Sequence, residues 1–353
     1  MLINMGTTGL FNVARKEFID HLTGKKFIVI LALFLIISAY SMHQGIEDYN
    51  EDLERYKEQI SQITGEEGLG TEYMPKKPSI LLIFQRLSFQ MTMLGAILAL
   101  AMGFDLISSE KESRSLKSLL SHPLFRDEII NGKALGGILA LMFAIGIALL
   151  ISLALLLVFS IVPDLDEFWR IILFGAVSVL YLLTYFSIAL LTSTISENSG
   201  QSLIYALIIF LAISLVAPMV SGIVAESVVG DPPEPPGPLR APPSTQRVTK
   251  TESELAFIPI KETQMDDEAW QRHNEESRKY MEKRRAMDDA IFTLVPTTNY
   301  LTVSSAVLSR NGDKNMFGSG YRSEREGQNV LEQIWKNILA LIILPIVFFA
   351  LAY

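Results

Sequence analysis

The chain has 353 residues, half of them apolar, a formal net charge of −8 and no cysteine. The absence of cysteine excludes disulfides, thiolate metal sites and cysteine nucleophiles, while an apolar share near one half is ordinary for soluble proteins too. The distribution of the apolar residues decides the class: 27–46, 134–162, 171–196 and 198–225 run for 20, 29, 26 and 28 residues without an Asp, Glu, Lys or Arg. A bilayer core takes about 20 mainly apolar residues as helix, so these four segments span, and two less regular ones join them.

Residues 1–26 read as an amphipathic helix on the cytoplasmic membrane surface. Leu10, Val13, Ala14, Phe18 and Leu22 recur at helical spacing, with Arg15, Lys16, Asp20 and Lys26 largely elsewhere. The first span is placed at 27–45. A cleaved secretory signal is the weaker reading, because 26 residues precede an apolar stretch longer than a signal core. Residues 46–79 form an extracytoplasmic helical extension, in which Ile46, Tyr49, Leu53, Tyr56, Ile60 and Ile63 fall three or four apart among charges. Pro75 and Pro78 return the chain to the membrane, and the second span, 80–104, is interrupted only by Arg86.

Residues 105–133 are a charged cytoplasmic hairpin. Leu116, Leu119 and Leu120 make an apolar edge among Glu110, Glu112, Arg114 and Lys117, and Pro123 breaks the helix. Periodicity leaves two readings open, a docking surface for a cytoplasmic protein or a hairpin that closes the bundle. The third span, 134–160, carries Gly136, Ala140, Ala144, Ala148 and Ser152 four apart, a stripe that lets another helix approach closely. The fourth and fifth spans are placed at 171–193 and 202–226, with Pro218 perturbing the fifth. Residues 227–333 form an extracytoplasmic domain, which opens with a linker holding seven prolines in 231–243 and continues into a charged helix over 266–291. The sixth span, 334–353, contains Pro345.

Sidedness follows the basic residues of short loops. Arg15, Lys16, Lys25 and Lys26 precede the first span, and Lys111, Arg114, Lys117, Arg126 and Lys133 lie between the second and third. The segment 46–79 has four basic residues against nine acidic. The N-terminus is therefore expected inside the cell and both 46–79 and 227–333 outside.

The hairpin resembles the signature region of ABC-2 type transporter permeases, in which an acidic helix of form E-x-E-x-G-T-L-x-x-L-L is followed by a Pro-bearing turn, an Arg and a G-K leading into the next span. Those features stand here as Glu110, Glu112, Leu116, Leu119, Leu120, Pro123, Arg126, Gly132 and Lys133, with Ser115 in place of the usual Gly-Thr before Leu116. Lys16-Glu17-Phe18, and 292–308 with Pro296, Tyr300, Ala306 and Leu308, are similar to the same family. The resemblance implies an all-α, six-span bundle acting as the transmembrane subunit of an ATP-driven transporter. It also implies a homodimer of permeases assembled with two cytoplasmic ABC ATPase subunits in the plasma membrane. It assigns ATPase coupling to Lys16, Glu17, Glu110, Glu112, Arg114, Leu119, Leu120 and Arg126.

No catalytic, cofactor or metal residues are expected in the chain; ATP and Mg would belong to the partner ATPase. A P-loop needs G-x-x-x-x-G-K-[ST], and at Gly132-Lys133 the next residue is Ala134 and the first glycine position is Asp127. His21, His43, His122 and His273 are scattered, and HExxH is absent. Export is expected over import because no solute-capturing module is evident, and no nucleic-acid partner is expected. The alternative reading is a membrane receptor or assembly protein whose hairpin docks another cytoplasmic partner.

Overall fold

The computed structural model describes residues 3–65, 75, 77–113, 126–235, 267–309 and 330–353. These residues form ten helices, with no strand among them: α1 (Ile3–Thr23), α2 (Lys25–Gly65), α3, α4 (Ser108–Glu112), α5 (Arg126–Val158), α6 (Leu165–Ile195), α7 (Ser199–Val229), α8 (Asp267–Phe292), α9 (Pro296–Leu308) and α10 (Val330–Ala352). α3 comprises Leu81–Gln90, a π-turn at Met91–Gly95, and Ala96–Gly103. Six helices (α2, α3, α5, α6, α7 and α10) are long and apolar enough to cross a membrane. The protein is a multi-pass helical membrane protein.

α2 is unbroken for 41 residues, about 60 Å at 1.5 Å per residue, roughly twice the hydrocarbon thickness. Its second half carries the Glu51, Asp52 and Arg55 ion pairs that lipid would not tolerate. Arg86, the charge that interrupts the second apolar segment, is neutralised from α2. Its Nε donates to Asp48, and one terminal nitrogen donates to Gln44 Oε1 at 3.3 Å.

The chain divides into two units, Met1–Ala217 with Thr293–Tyr353, and Pro218–Phe292. In the first, α6 is central and contacts α3, α5, α7, α9 and α10. Lipid tails are as apolar as leucine, so helices there associate through close packing and hydrogen bonds rather than by escaping water. Two glycines supply the close packing on α6. A Cβ on Gly103 of α3 would sit 2.8 Å from Ala189 Cβ, and one on Gly137 of α5 would sit 2.4 Å from the Phe186 ring. Buried polar pairs supply the bonds: Ser88–Ser304 at 2.7 Å, Ser178–Tyr300 at 2.9 Å, and Asn337 to Asn299 at 2.8 Å. The apolar side chains left exposed, such as Val29, Ile36, Ile204 and Ile208, face outward, as lipid contact requires.

Both helix irregularities have a local cause or partner. Pro218 lacks an N–H and its ring conflicts with the carbonyl four residues back, at Ser214. The π-turn at Ala212–Val216 lies where that conflict falls. In α3 the π-turn has a partner on α6: the Tyr181 hydroxyl donates to Thr92 O, 2.6 Å away. Pro345 is carried inside α10 without a break in the helix.

In the second unit, the charged segment forms α8, supported by Arg278–Glu282 and Arg284–Asp288 pairs one turn apart, each at 3.9 Å. Ser221 Oγ donates to Asp288 Oδ1 at 2.9 Å, tying the end of α7 to α8.

Candidate functional site

The charged residues converge at the end of the bundle where α2, α5 and α7 begin and α3 and α6 finish. α1 lies against the start of α5 because two glycines leave no side chain between them. A Cβ on Gly132 would fall 2.7 Å from Val13 Cβ, and one on Gly136 would fall 2.6 Å from Glu17 Cβ and 2.8 Å from Ala14 O. The close contact brings Glu17 beside Lys133, although 116 residues separate them in sequence.

Lys133 is the centre of the junction. Its ammonium lies 2.9 Å from Glu17 Oε2 of α1 and 2.9 Å from Glu110 Oε1 of α4. The three side chains are 11%, 15% and 17% exposed, so the ions are largely removed from water and each depends on the others. One cation thus joins three separate helices. Lys26, at the start of α2, adds a more exposed pair with Asp105 at 2.9 Å and lies over the Phe104 ring at 5.5 Å. His21 sits 3.8 Å from Glu17 Oε1, and burial holds its pKa below the usual histidine value despite that carboxylate.

The other side of α4 is fastened to the corner between α6 and α7. Ser193 Oγ accepts from the backbone N–H groups of Ile107 and Ser108, at 2.9 and 3.0 Å. Lys111 Nζ donates to the carbonyls of Thr194 and Ser196, where α6 ends, and Glu112 Oε2 accepts from Ser199 N and Oγ, at 3.1 and 3.0 Å, where α7 starts. A cation at a helix C-terminus and a carboxylate at an N-terminus both complement the helix dipole. α4 is therefore a five-residue clasp whose successive charges Glu110, Lys111 and Glu112 reach α5, α6 and α7 in turn.

Of the residues assigned to coupling from the sequence, Glu17 and Glu110 meet on Lys133, and Glu112 caps α7. Lys16 lies exposed on α1. Arg126 is the first residue of α5, and Arg114, Leu119 and Leu120 lie outside the described residues. Sequence reasoning treated Lys133 as the residue that leads into the third span and missed it as the hub. Lys26 was read only as a basic residue ahead of the first span, and Asp105 and Ser193 were not singled out. The signal that was available is the Gly132-Lys133 pair followed by Gly136: small residues that admit α1, next to a cation that must then find carboxylates.

The family model described as ABC-2 family transporter protein matches residues 11–353. No curated protein matches the chain. Matched over nearly its whole length, and built on six membrane-crossing helices, the chain belongs to the ABC-2 transporter family and is the non-catalytic, membrane-spanning permease subunit of an ABC transporter.

Proposed function

We propose that this permease is driven through the junction around Lys133 by a cytoplasmic ABC ATPase docked on the 105–133 hairpin and on α1. The observation that carries the reading is the double attachment of α4: Glu110 joins it to Lys133 and so to α1 and α5, while Lys111 and Glu112 join it to α6 and α7. In this reading a displacement of α4 reaches the starts of the third and fifth spans and the end of the fourth together, through those three side chains. Lys16, Arg114, Leu119, Leu120 and Arg126 are assigned to the ATPase contact, and Glu17, Glu110 and Glu112 to transmission.

In this reading α1 lies along the cytoplasmic surface of the plasma membrane, and 46–79 and 227–333 lie outside. Two copies of the permease assemble with two ATPases, and the direction of transport is export. The Lys and Arg bias of the two short segments supports the orientation. The protein contains no cysteine, so single cysteines introduced at Lys117 and Lys57 test it with a membrane-impermeant thiol reagent in intact cells. Labelling at position 57 alone is expected, and labelling at 117 would reverse the topology. Co-purification with the ATPase tests the docking. L119E/L120E should abolish it while the permease still folds, and unchanged assembly would remove the hairpin from the contact.

A further inference from the structure

Beside the Lys133 cluster, α1, α2, α3 and α4, with Lys133 of α5, line a half-open cavity of about 400 Å³, within the ordinary range of ligand pockets. Its two ends differ in chemistry. Phe27, Leu98, Met102 and Leu106 give it a buried apolar floor, whereas Asp20, Lys25 and Lys26 stand exposed at its mouth. Three ammonium groups line it, from Lys25, Lys26 and Lys133, against four carboxylates, from Glu17, Asp20, Asp105 and Glu110. With neutral His21 the lining is one charge negative, and the Lys26–Asp105 pair cancels. The excess belongs to the inner group, where one ammonium serves both Glu17 and Glu110.

Next to that group, His21 Nε2 is buried and has no hydrogen-bond partner among the described residues; Glu17 Oε1 at 3.8 Å is beyond bonding distance. With the proton on Nδ1, the unbonded Nε2 is an acceptor, and beside a negative excess it suits a ligand that brings both a positive charge and N–H donors. At the mouth Lys25 and Asp20 are both exposed and balance in charge, and the Lys25 ammonium is the group there that would receive an anion entering behind an amine. The apolar floor leads along Ile30 of α2, whose neighbours Ile28 and Val29 are exposed on the outer face of the bundle.

We propose that this cavity binds the headgroup of a phospholipid carrying a primary amine, with the ammonium at His21 and Glu17, the phosphate at Lys25, and an acyl chain along Ile30 and the outer face of α2. The assignment rests on the placement of α1 at the membrane surface, proposed above. The ligand would join α1 to the first two spans, and lipid composition would then act on the same junction that couples the hairpin to the bundle.

The test is native mass spectrometry of the full-length chain in detergent, offered phosphatidylethanolamine and phosphatidylcholine with identical acyl chains. A trimethylammonium group donates no hydrogen bond, so the primary amine should be retained about tenfold better, which corresponds to about 1.4 kcal/mol. H21F removes the acceptor, and A101F puts a ring into the pocket from Ala101 of α3, which also lines it; each should bring the ratio to about one. O-phosphoethanolamine, which has the headgroup and no chains, should bind at least about tenfold more weakly than the lipid, by the same conversion. Equal retention of the two lipids by the unaltered protein would overturn the proposal without recourse to variants. A preference that survives both substitutions would also overturn it, as would equally tight binding of the chain-free headgroup. These readouts do not involve an ATPase or transport, so a failure here leaves the coupling proposal standing, and the converse also holds.

Discussion

Replacing Lys133 by methionine removes the ammonium and keeps most of the side-chain volume. Glu17 and Glu110 would then face each other at a site where their side chains are 15% and 17% exposed, each having lost a partner at 2.9 Å. Breaking a buried pair by removing one member costs about 3–5 kcal/mol, most of it from the charge left behind. The value expected for K133M is in that range, and the reason can be separated from simple loss of contact. In the triple variant E17Q/E110Q/K133M no uncompensated ion remains, so at least about half of the loss should be recovered. The assay is reversible unfolding of the purified chain in mixed micelles, comparing the three single variants with the combined one. A triple variant no more stable than K133M would refute the argument. So would a coupling below about 0.5 kcal/mol, which is the size of an exposed surface pair.

Other consequences are open to the same kind of measurement. G136A, which puts a Cβ 2.6 Å from Glu17 Cβ, should cost about 1–3 kcal/mol, while G146A, with nothing within 4 Å, should stay within about 0.5 kcal/mol; equal losses in thermal unfolding would discard the close-approach account of α1. Y181F deletes the hydroxyl that donates to Thr92 O at the α3 π-turn and should cost about 1–3 kcal/mol by leaving that carbonyl unpaired in an apolar site; a neutral result would mean the π-turn satisfies itself. Burial holds the His21 pKa below its ordinary 6.5, against Glu17, Asp105 and Asp20 and in company with Lys133. As pH falls below 6.5 the unfolded chain takes up a proton here that the folded chain resists, so stability declines on acidification. H21N should flatten the part of the profile between pH 6.5 and about 5, above the carboxylate range, and an unaltered slope would assign it to other groups.

The sequence by itself determined the class of the molecule. A bilayer demands that backbone groups be satisfied within the segment and that side chains be apolar for about 20 residues, and both conditions are local. The uncharged runs at 134–162, 171–196 and 198–225 therefore correspond directly to α5, α6 and α7. The family could be read for a related reason, since the pattern from Glu110 through Lys133 is contiguous. What the tertiary structure decided is which charge answers which. Glu110, Lys111 and Glu112 are indistinguishable by periodicity as solvated hairpin charges, yet each has a separate partner from 23 to 87 residues away. Lys133 gains its role only because Gly132 and Gly136 let α1 descend far enough to present Glu17. Ion pairing depends on distances between helices that are remote in sequence, and those distances are fixed by the packing of small residues against α1 and α6, which no local pattern of charge encodes.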